Sequence, residues 1–332
     1  MRDMHRYLAA FLLLVLAAVP AHAAEGGARI DPEALLRAIV RIDVTAPPDS
    51  QSSRSLGAER AGTGAVIDGN GLILTIGYLI MEGAQLKVTD SEGRGYPAEF
   101  VAYDHVSGFG LVRAGFGFKA APIRLGDAGA LKTGDAAVVL SRAGSSTALP
   151  VRVVARREFA GYWEYLLDEA IFTSPPHPAF GGAALVDRTG RLVGIGSLLV
   201  GDAMPGQRLA GNMFVPVSAL EPIFGDLLAY GRRQDTPRPW LGVNVREEQG
   251  RLLVERVTPR SPADSAGVRP GDQIVGVGGQ RFSTLADFYR KLWALGPAGV
   301  AVPLEVMRGA QVQPVTVTSA DRLRHLRLNP TY

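Results

Sequence analysis

Between about residues 60 and 224 the chain consists of short apolar segments separated by glycine-containing turns, and this pattern restricts the fold more than any other feature. The segments include GTGAVIDGNGLILT, YPAEFVAYD, AAVVLSRAG and ALVDRTGRLVGIG. Strands this short and this evenly spaced are typical of an antiparallel β-barrel or β-sandwich. Gly69-Asn70-Gly71 and residues 187–190 predict tight hairpin turns. The sequence therefore predicts a mainly β architecture.

The periodicity changes at residues 215–231, where apolar residues recur at helical spacing. The pattern predicts a helix there, with Ser218 as its cap and Gly231 after its end. The polar sequence RRQDTPRP that follows contains two prolines. Such a composition is typical of a linker, so we place a domain boundary at residues 232–239.

The N-terminus has the pattern of a secretory signal peptide. Arg2 and Arg6 precede an apolar run over residues 8–19, which is followed by Pro20 and the small-x-small site Ala21-His22-Ala23. The run is too short to span a bilayer as a helix. We expect cleavage after Ala23 and export to the periplasm or the outside, with no stable membrane insertion afterwards. An uncleaved membrane anchor is the alternative.

Composition excludes several function classes. The chain of 332 residues has no cysteine, which excludes thiol catalysis and cysteine-based zinc sites. Its five histidines show no metal-ligand spacing, and its net charge is only +3. No basic stripe interleaved with aromatic residues is present, so nucleic acid is not an expected partner. We expect no metal and no cofactor.

The region after the linker reads as a small α+β domain. A helix is predicted over residues 283–295, with Ser283 as cap and Gly296 as stop, and its apolar face most simply packs into its own core. The motifs RPWLGV, SPADSAGVRPGDQIVGVGG and VPLEVMRGAQ resemble a PDZ domain. That resemblance implies a carboxylate-binding loop at residues 240–243, an edge strand at residues 243–245 and a groove wall formed by the helix. The implied peptide-binding residues are Trp240, Leu241, Gly242, Val243, Asn244, Val245, Leu285 and Tyr289.

The preceding region resembles the trypsin-like double β-barrel of the HtrA/Deg family of exported serine proteases. The matching stretches are GTGAVIDGNGLILT, IRLGDAGALKTGDAAVVL, DRTGRLVGIG and VPVSALEPIFGDLLAYG. We therefore expect a signal peptide at 1–23, an N-terminal segment at 24–59, the double barrel at 60–231, the linker at 232–239, the PDZ-like domain at 240–322 and a tail at 323–332.

The family's three catalytic positions differ in this chain. The histidine motif T-N-x-H-V-V is matched by TIGYLI, which places Tyr78 at the histidine position. The aspartate motif T-D-x-A-V-L is matched by SGFGLV, with Gly108 at the aspartate. The serine motif N-P-G-N-S-G-G is matched by HPAFGGA, with Gly181 at the serine; a one-residue insertion would place Phe180 there instead.

These replacements predict an inactive protease-like domain. Ser-His-Asp catalysis needs a hydroxyl, a base with a pKa near neutral and a carboxylate that orients the base. Glycine has no side chain, and a tyrosine with a pKa near 10 is a poor base at neutral pH. Loss of the nucleophile or of the base costs about 10⁶ in turnover.

Relocated chemistry is the alternative. Ser107 and Ser174 are candidate nucleophiles, and His105 and His177 are candidate bases; otherwise all four are ordinary loop residues. We expect an exported, inactive HtrA-like homologue that binds peptide or protein C-termini as an envelope scaffold, chaperone-like binder or regulator. Two other functions remain open: an active endopeptidase in protein quality control, and a purely structural subunit of another protein. The family resemblance also implies a homotrimer.

Overall fold

The computed structural model describes residues 31–144 and 147–328, which form two compact units. The first unit contains the described residues up to 157 together with residues 169–233. The second contains Glu158–Asp168 and Gln234–Leu328. The predicted signal peptide lies outside the described residues. Within the described ranges, no helix combines the length and the apolar character that crossing a membrane requires.

Six antiparallel strands form a closed barrel in the N-terminal half of the first unit, in the order β1-β2-β3-β6-β5-β4. The barrel closes where β1 pairs with β4. The strands are β1 (Ile39–Thr45), β2 (Glu59–Val66), β3 (Leu72–Ile76), β4 (Gln85–Thr89), β5 (Gly95–Tyr103) and β6 (Phe109–Ala114). Three short helices accompany them: α1 (Pro32–Arg37), α2 (Ser53–Leu56) and α3 (Gly77–Ile80). The hairpin turn predicted at Gly69-Asn70-Gly71 connects β2 to β3.

This barrel begins earlier in the chain than the sequence suggested. We expected residues 24–59 to precede the barrel, but β1 lies within them and pairs with both β2 and β4. The physical reason is closure, because without β1 the edges of β2 and β4 would be left without partners. Ile42 and Val44 are buried and alternate with half-buried Arg41 and Asp43, which is a strand pattern.

A second closed barrel follows in the same unit, in the order β10-β11-β12-β9-β8-β7. Pairing of β7 with β10 closes it. The strands are β7 (Ala136–Leu140), β8 (Ala148–Gly161), β9 (Tyr165–Ser174), β10 (Ala184–Asp187), β11 (Leu192–Val200) and β12 (Gly211–Pro216). The hairpin predicted around residues 187–190 is confirmed by the antiparallel pairing of β10 with β11. Residues 158–168 comprise the end of β8, the connecting turn and the start of β9, and they belong to the second unit.

The helix predicted over residues 215–231 is shorter in the structure. Two 3₁₀ turns, Val217–Ala219 and Glu221–Ile223, precede the α-helix α4 (Phe224–Tyr230). Ser218 does not cap the helix, because it lies inside the first of these turns. Pro216 and Pro222 lack backbone N–H groups, which delays regular α-helical hydrogen bonding. Gly231, with a φ of +70°, follows the end of the helix as predicted.

The second unit is a five-stranded antiparallel sheet in the order β13-β14-β15-β16-β17. The strands are β13 (Val243–Glu248), β14 (Arg251–Val257), β15 (Gln273–Val277), β16 (Ala301–Arg308) and β17 (Gln311–Thr318). The helices are α5 (Pro262–Ser265) and α6 (Leu285–Ala294), and a 3₁₀ turn follows at Arg322–His325. Thr284 caps α6, not Ser283. The sheet order leaves β13 at an edge.

The helix α6 packs its apolar face into the core of this unit. Leu285, Phe288, Tyr289 and Leu292 are all buried in one cluster with residues of the sheet. Two residues of the segment Glu158–Asp168, Ala160 and Leu166, pack against the same cluster. The core therefore includes a contribution from a segment that is distant in sequence.

Candidate functional site

The structure brings Tyr78 and Gly181 together. Tyr78 lies on α3, directly after β3, and Gly181 lies in the turn before β10. A Cβ atom built on Gly181 would lie 3.2 Å from the Tyr78 Oη. That hydroxyl donates to the carbonyl of Ser197 over 3.0 Å. The Tyr78 hydroxyl thus lies in close contact with the place where a side chain at position 181 would begin.

Tyr78 is unsuited to act as a base in this position. Burial raises the pKa of its hydroxyl above the ordinary value of a tyrosine. The group stays neutral at physiological pH, and its proton is already donated to a backbone carbonyl. It therefore contributes a hydrogen bond and bulk to this region.

Gly108 lies close to the same helix through the backbone. It has a φ of +86° in the turn before β6. Its carbonyl accepts a hydrogen bond from Gly77 N over 2.7 Å, and Gly77 is the residue before Tyr78. All three positions that the family resemblance singled out therefore lie in or beside one region, and none carries a nucleophile or a carboxylate.

His177 organises the loop that leads to Gly181. Its ring is fully buried, and its Nδ1 accepts the N–H of Ala179 over 3.1 Å. Its backbone N–H donates to Asn212 Oδ1 over 2.6 Å, and Asn212 Nδ2 donates back to its carbonyl over 3.2 Å. These bonds give His177 a structural role in the loop.

Buried hydroxyl groups hold the other side of this loop. Thr63 Oγ1 and Ser141 Oγ are 2.9 Å apart, and Ser141 Oγ donates to the carbonyl of Ala179 over 2.8 Å. Thr75 Oγ1 donates to the carbonyl of Thr63 over 2.7 Å. These hydroxyls are engaged in holding the backbone together.

The other relocated candidates lie in separate places. Ser107 donates its hydroxyl proton to Asp104 Oδ2 over 2.6 Å, in the turn that also contains His105. Ser174, at the end of β9, donates to the carbonyl of Ala210 over 2.8 Å. Activation of a serine would need a hydrogen bond from its hydroxyl to a base such as histidine. In these bonds neither serine donates to a histidine.

A second candidate site lies at the start of β13. The backbone N–H groups of Leu241, Gly242 and Val243 converge on one carboxylate, that of Glu164. The distances are 2.9 Å to Oε2 from Leu241, and 2.7 Å and 3.0 Å to Oε1 from Gly242 and Val243. These are the N–H groups of the predicted carboxylate loop, apart from that of Trp240.

The loop requires glycine at position 242. Gly242 has a φ of +85°, and a Cβ built there would lie 2.2 Å from the Cβ of Ser261. A side chain would therefore move the backbone whose N–H groups point at Glu164. The predicted participation of Trp240 in this loop needs a correction, because its N–H donates to the carbonyl of Ala320 over 3.1 Å.

The predicted strand and helix residues lie on both sides of the loop. Val245 N donates to the carbonyl of Tyr162 over 2.8 Å, from the edge strand β13. Asn244 pairs with Arg256 of β14. On α6, Leu285 is buried in the core, and the Tyr289 hydroxyl donates to the carbonyl of Gly161 over 2.8 Å.

Glu164 belongs to this candidate site although the sequence does not indicate it. Burial raises the pKa of its carboxyl, while the three N–H donors and the charge of Arg322 act in the opposite direction. Its backbone N–H donates to the Tyr289 hydroxyl over 3.1 Å. The sequence YWEY offers no signal for this, since a charged residue in an aromatic turn is typical of an exposed loop.

Comparison with known families finds two domains in the chain. Residues 62–195 match the trypsin-like peptidase domain, and residues 239–318 match the PDZ domain. Both candidate sites lie within or beside these matches.

Curated relatives match most of the chain. HhoA from Synechocystis sp. is 26% identical over 287 residues, which cover 78% of this chain and 70% of HhoA. The periplasmic serine endoprotease DegP of Escherichia coli strain K12 is 24% identical over 268 residues, which cover 76% of this chain and 55% of DegP. The chain thus spans about half the length of DegP.

Solved structures show the same fold. The HtrA-type protease AlgW with a tripeptide aligns with a TM-score of 0.51 at 20% identity, covering 86% of this chain and 94% of AlgW. AlgW with a decapeptide aligns with a TM-score of 0.51 at 19% identity, covering 86% of this chain and 96% of AlgW.

Proposed function

The chain belongs to the HtrA family, with a trypsin-like domain followed by a C-terminal PDZ domain. We propose that it is a catalytically inactive member of this family and that it binds peptide or protein C-termini. One observation carries the inactivity. Tyr78 Oη lies 3.2 Å from the place where a side chain at position 181 would begin, and it donates to a backbone carbonyl. Neither Tyr78 nor Gly181 offers an activated hydroxyl or a base that works at neutral pH, which supports the proposal.

The loop before Gly181 adds to this argument. In the gapless match of HPAFGGA to the serine motif, Ala179 lies two residues before Gly181, which is the spacing of the two backbone N–H donors of a trypsin-like oxyanion hole. The N–H of Ala179 donates to His177 Nδ1, so it is engaged elsewhere. Stabilisation of an oxyanion requires donors that point at the developing charge, about 3 Å away.

Labelling with a fluorophosphonate tests the inactivity. The mature protein should not be labelled and should not cleave casein, since both reactions need an activated serine. The triple variant Tyr78→His, Gly108→Asp, Gly181→Ser should recover little, because Ala179 and Phe180 replace the residues that flank the nucleophile in the family. Labelling of the unmodified protein that a substitution of Ser107 or Ser174 abolishes would instead establish relocated chemistry.

The PDZ domain supplies the proposed binding activity. Three backbone N–H groups bind a carboxylate in this structure, and β13 beside them is an edge strand of its sheet. This is the arrangement by which an extended peptide adds to a sheet and places its terminal carboxylate. The AlgW structures carry bound peptides, which supports the same use here.

We further propose that the protein works outside the cytoplasm, as an envelope scaffold, chaperone-like binder or regulator. The signal-like N-terminus and the periplasmic relatives support this location. A homotrimer is the expected assembly by family resemblance, and the mass of the mature protein in solution tests it.

A further inference from the structure

We infer that the chain's own segment Glu158–Asp168 occupies the peptide groove, with the Glu164 side chain in place of a peptide's terminal carboxylate, so that a C-terminal peptide binds only when this segment leaves. The inference rests on the proposed peptide-binding function. It adds that the groove is closed from within. We call residues 158–168 the internal segment.

The carboxylate of Glu164 makes the contacts that a terminal carboxylate would need. Both of its oxygens accept hydrogen bonds, and the three donors are consecutive backbone N–H groups. Glu164 is only 5% exposed and already accepts all three of these N–H groups, so a second carboxylate cannot bind them at the same time. Occupation by Glu164 and by a peptide terminus is therefore mutually exclusive.

The backbone of the internal segment contacts the edge strand β13 through one hydrogen bond. Two residues before Glu164, the carbonyl of Tyr162 accepts the N–H of Val245 over 2.8 Å. A strand that adds to a sheet edge makes main-chain hydrogen bonds of this kind. The segment therefore matches a bound peptide at two points, the terminal carboxylate and the strand edge.

Residues on the other side of the groove also hold the internal segment. The hydroxyl of Tyr289 donates to the carbonyl of Gly161 and accepts the N–H of Glu164. Arg322 Nη1 donates to the carbonyl of Trp163 over 3.1 Å. These contacts surround the turn from both the helix and the C-terminal 3₁₀ turn.

The backbone conformation of Glu164 agrees with this placement. Its φ is +56°, in the left-handed region that a non-glycine residue adopts only at an energetic cost. Such a conformation persists where the surroundings impose it. Glu164 is the last residue of the turn between β8 and β9, and its bonds to the three N–H donors and to Tyr289 hold it in this conformation.

The expected consequence is a reduced apparent affinity for peptides. A ligand that binds only the open state has its affinity reduced by the fraction of molecules that are open. If roughly a tenth or less of the molecules are open, opening the groove by mutation raises the affinity at least about tenfold.

Peptide titration of the mature full-length protein tests this expectation. The probe is the fluorescein-labelled peptide Gly-Ser-Ser-Ala-Leu-Val with a free C-terminus, and its amidated form reports binding that does not use the carboxylate. Glu164→Ala should bind the free peptide at least about tenfold more tightly than the unmodified protein. Arg322→Gln should act in the same direction, and it keeps the Glu164 side chain if the first variant folds poorly. Glu169→Ala is the matched control, since Glu169 lies on β9 with a side chain that is 70% exposed.

Hydrogen exchange separates the two levels of the proposal. Without peptide, the amides of residues 241–243 should exchange faster in Glu164→Ala than in the unmodified protein or in Glu169→Ala. If they do so and no protein binds the peptide, the internal segment occupies the loop and the proposed peptide-binding function fails. Equal exchange together with equal peptide binding in all proteins would overturn the inference and leave the binding function standing.

Discussion

Asp104 illustrates, at the scale of single residues, how a charged group close to Gly108, the residue that matches the family's aspartate motif, serves the fold. Its buried carboxylate accepts bonds from Arg233 Nε and Nη2 over 2.9 Å and 3.1 Å, and from the hydroxyl and N–H of Ser107. Burial acts to raise the pKa of Asp104, but Arg233 and Ser107 hold it below its ordinary value. The sequence placed His105 next to this carboxylate, and the structure shows that the carboxylate pairs with Arg233.

Asp104→Asn should destabilise the protein by about 3 kcal/mol at pH 7, because it leaves Arg233 without its buried counter-ion. A depressed pKa means that this stabilisation is present above the ordinary value of 3.8 and is lost as the pH falls through the lower folded value. The difference between the two proteins should therefore shrink as the pH falls from about 4 towards 2. Urea unfolding at several pH values measures it.

Asp202→Asn is the control for this experiment. Asp202 is 74% exposed and lies 3.6 Å from Arg157, so its loss should cost less than about 1 kcal/mol. An effect of Asp104→Asn that stayed constant down to pH 2 would contradict the role of the ionised carboxylate.

Single elements differ in how far the sequence predicts them. The hairpins at Gly69-Asn70-Gly71 and residues 187–190 depend on local turn chemistry, so the sequence predicts them well. The membership of β1 in the barrel depends on pairing with β4, which lies about 45 residues away, and local patterns do not contain that information. The same holds for Glu164, whose partners Leu241, Gly242 and Val243 lie 77 to 79 residues further along the chain.

The carboxylate loop gives a prediction at the same scale, based on two glycines with similar backbone angles. Gly242 has a φ of +85° and a clash at its Cβ position, whereas Gly250 has a φ of +74° and open space. Gly250→Ala should cost about 1 kcal/mol from the left-handed backbone alone. Gly242→Ala should cost roughly 2–4 kcal/mol, because the overpacking against Ser261 adds to the backbone strain.

Each glycine variant is best combined with Glu164→Ala, which opens the groove. Thermal unfolding then measures the cost in stability, and peptide titration measures the loop. Gly242→Ala should abolish binding of the free C-terminal peptide, and Gly250→Ala should leave it unchanged. Retention of binding by Gly242→Ala would mean that the loop N–H groups do not receive the peptide carboxylate.

At the scale of the whole molecule, the folds of the two domains are easier to predict from the sequence than the assignment of residues 158–168 to the second unit. The order of a trypsin-like domain and a PDZ domain was predicted from motifs, and the family matches agree with it. The participation of residues 158–168 in the second unit was not predicted. Those residues lie within a barrel hairpin in sequence, and only their tertiary contacts assign them to another core.

Export gives the prediction for the whole chain. The protein isolated from outside the cytoplasm should begin at or near Ala24, because the apolar run ends in a small-x-small site. Ala23→Phe should block cleavage and leave the longer form, since the site requires small residues. N-terminal sequencing of both proteins checks this, and an exported wild-type protein that begins at Met1 would contradict it.

The ends of the internal segment lie within β8 and β9, so the segment is tethered beside the groove. A free peptide must therefore reach a certain concentration before it can compete with the segment for the groove. A ligand tethered in this way competes at an effective concentration that is of millimolar order even for short flexible connections. A single soluble C-terminus at micromolar concentration would rarely displace it. Many C-termini presented together on one assembly would raise the local concentration and reach the threshold. The protein would then bind C-termini that are presented together and would leave isolated C-termini unbound.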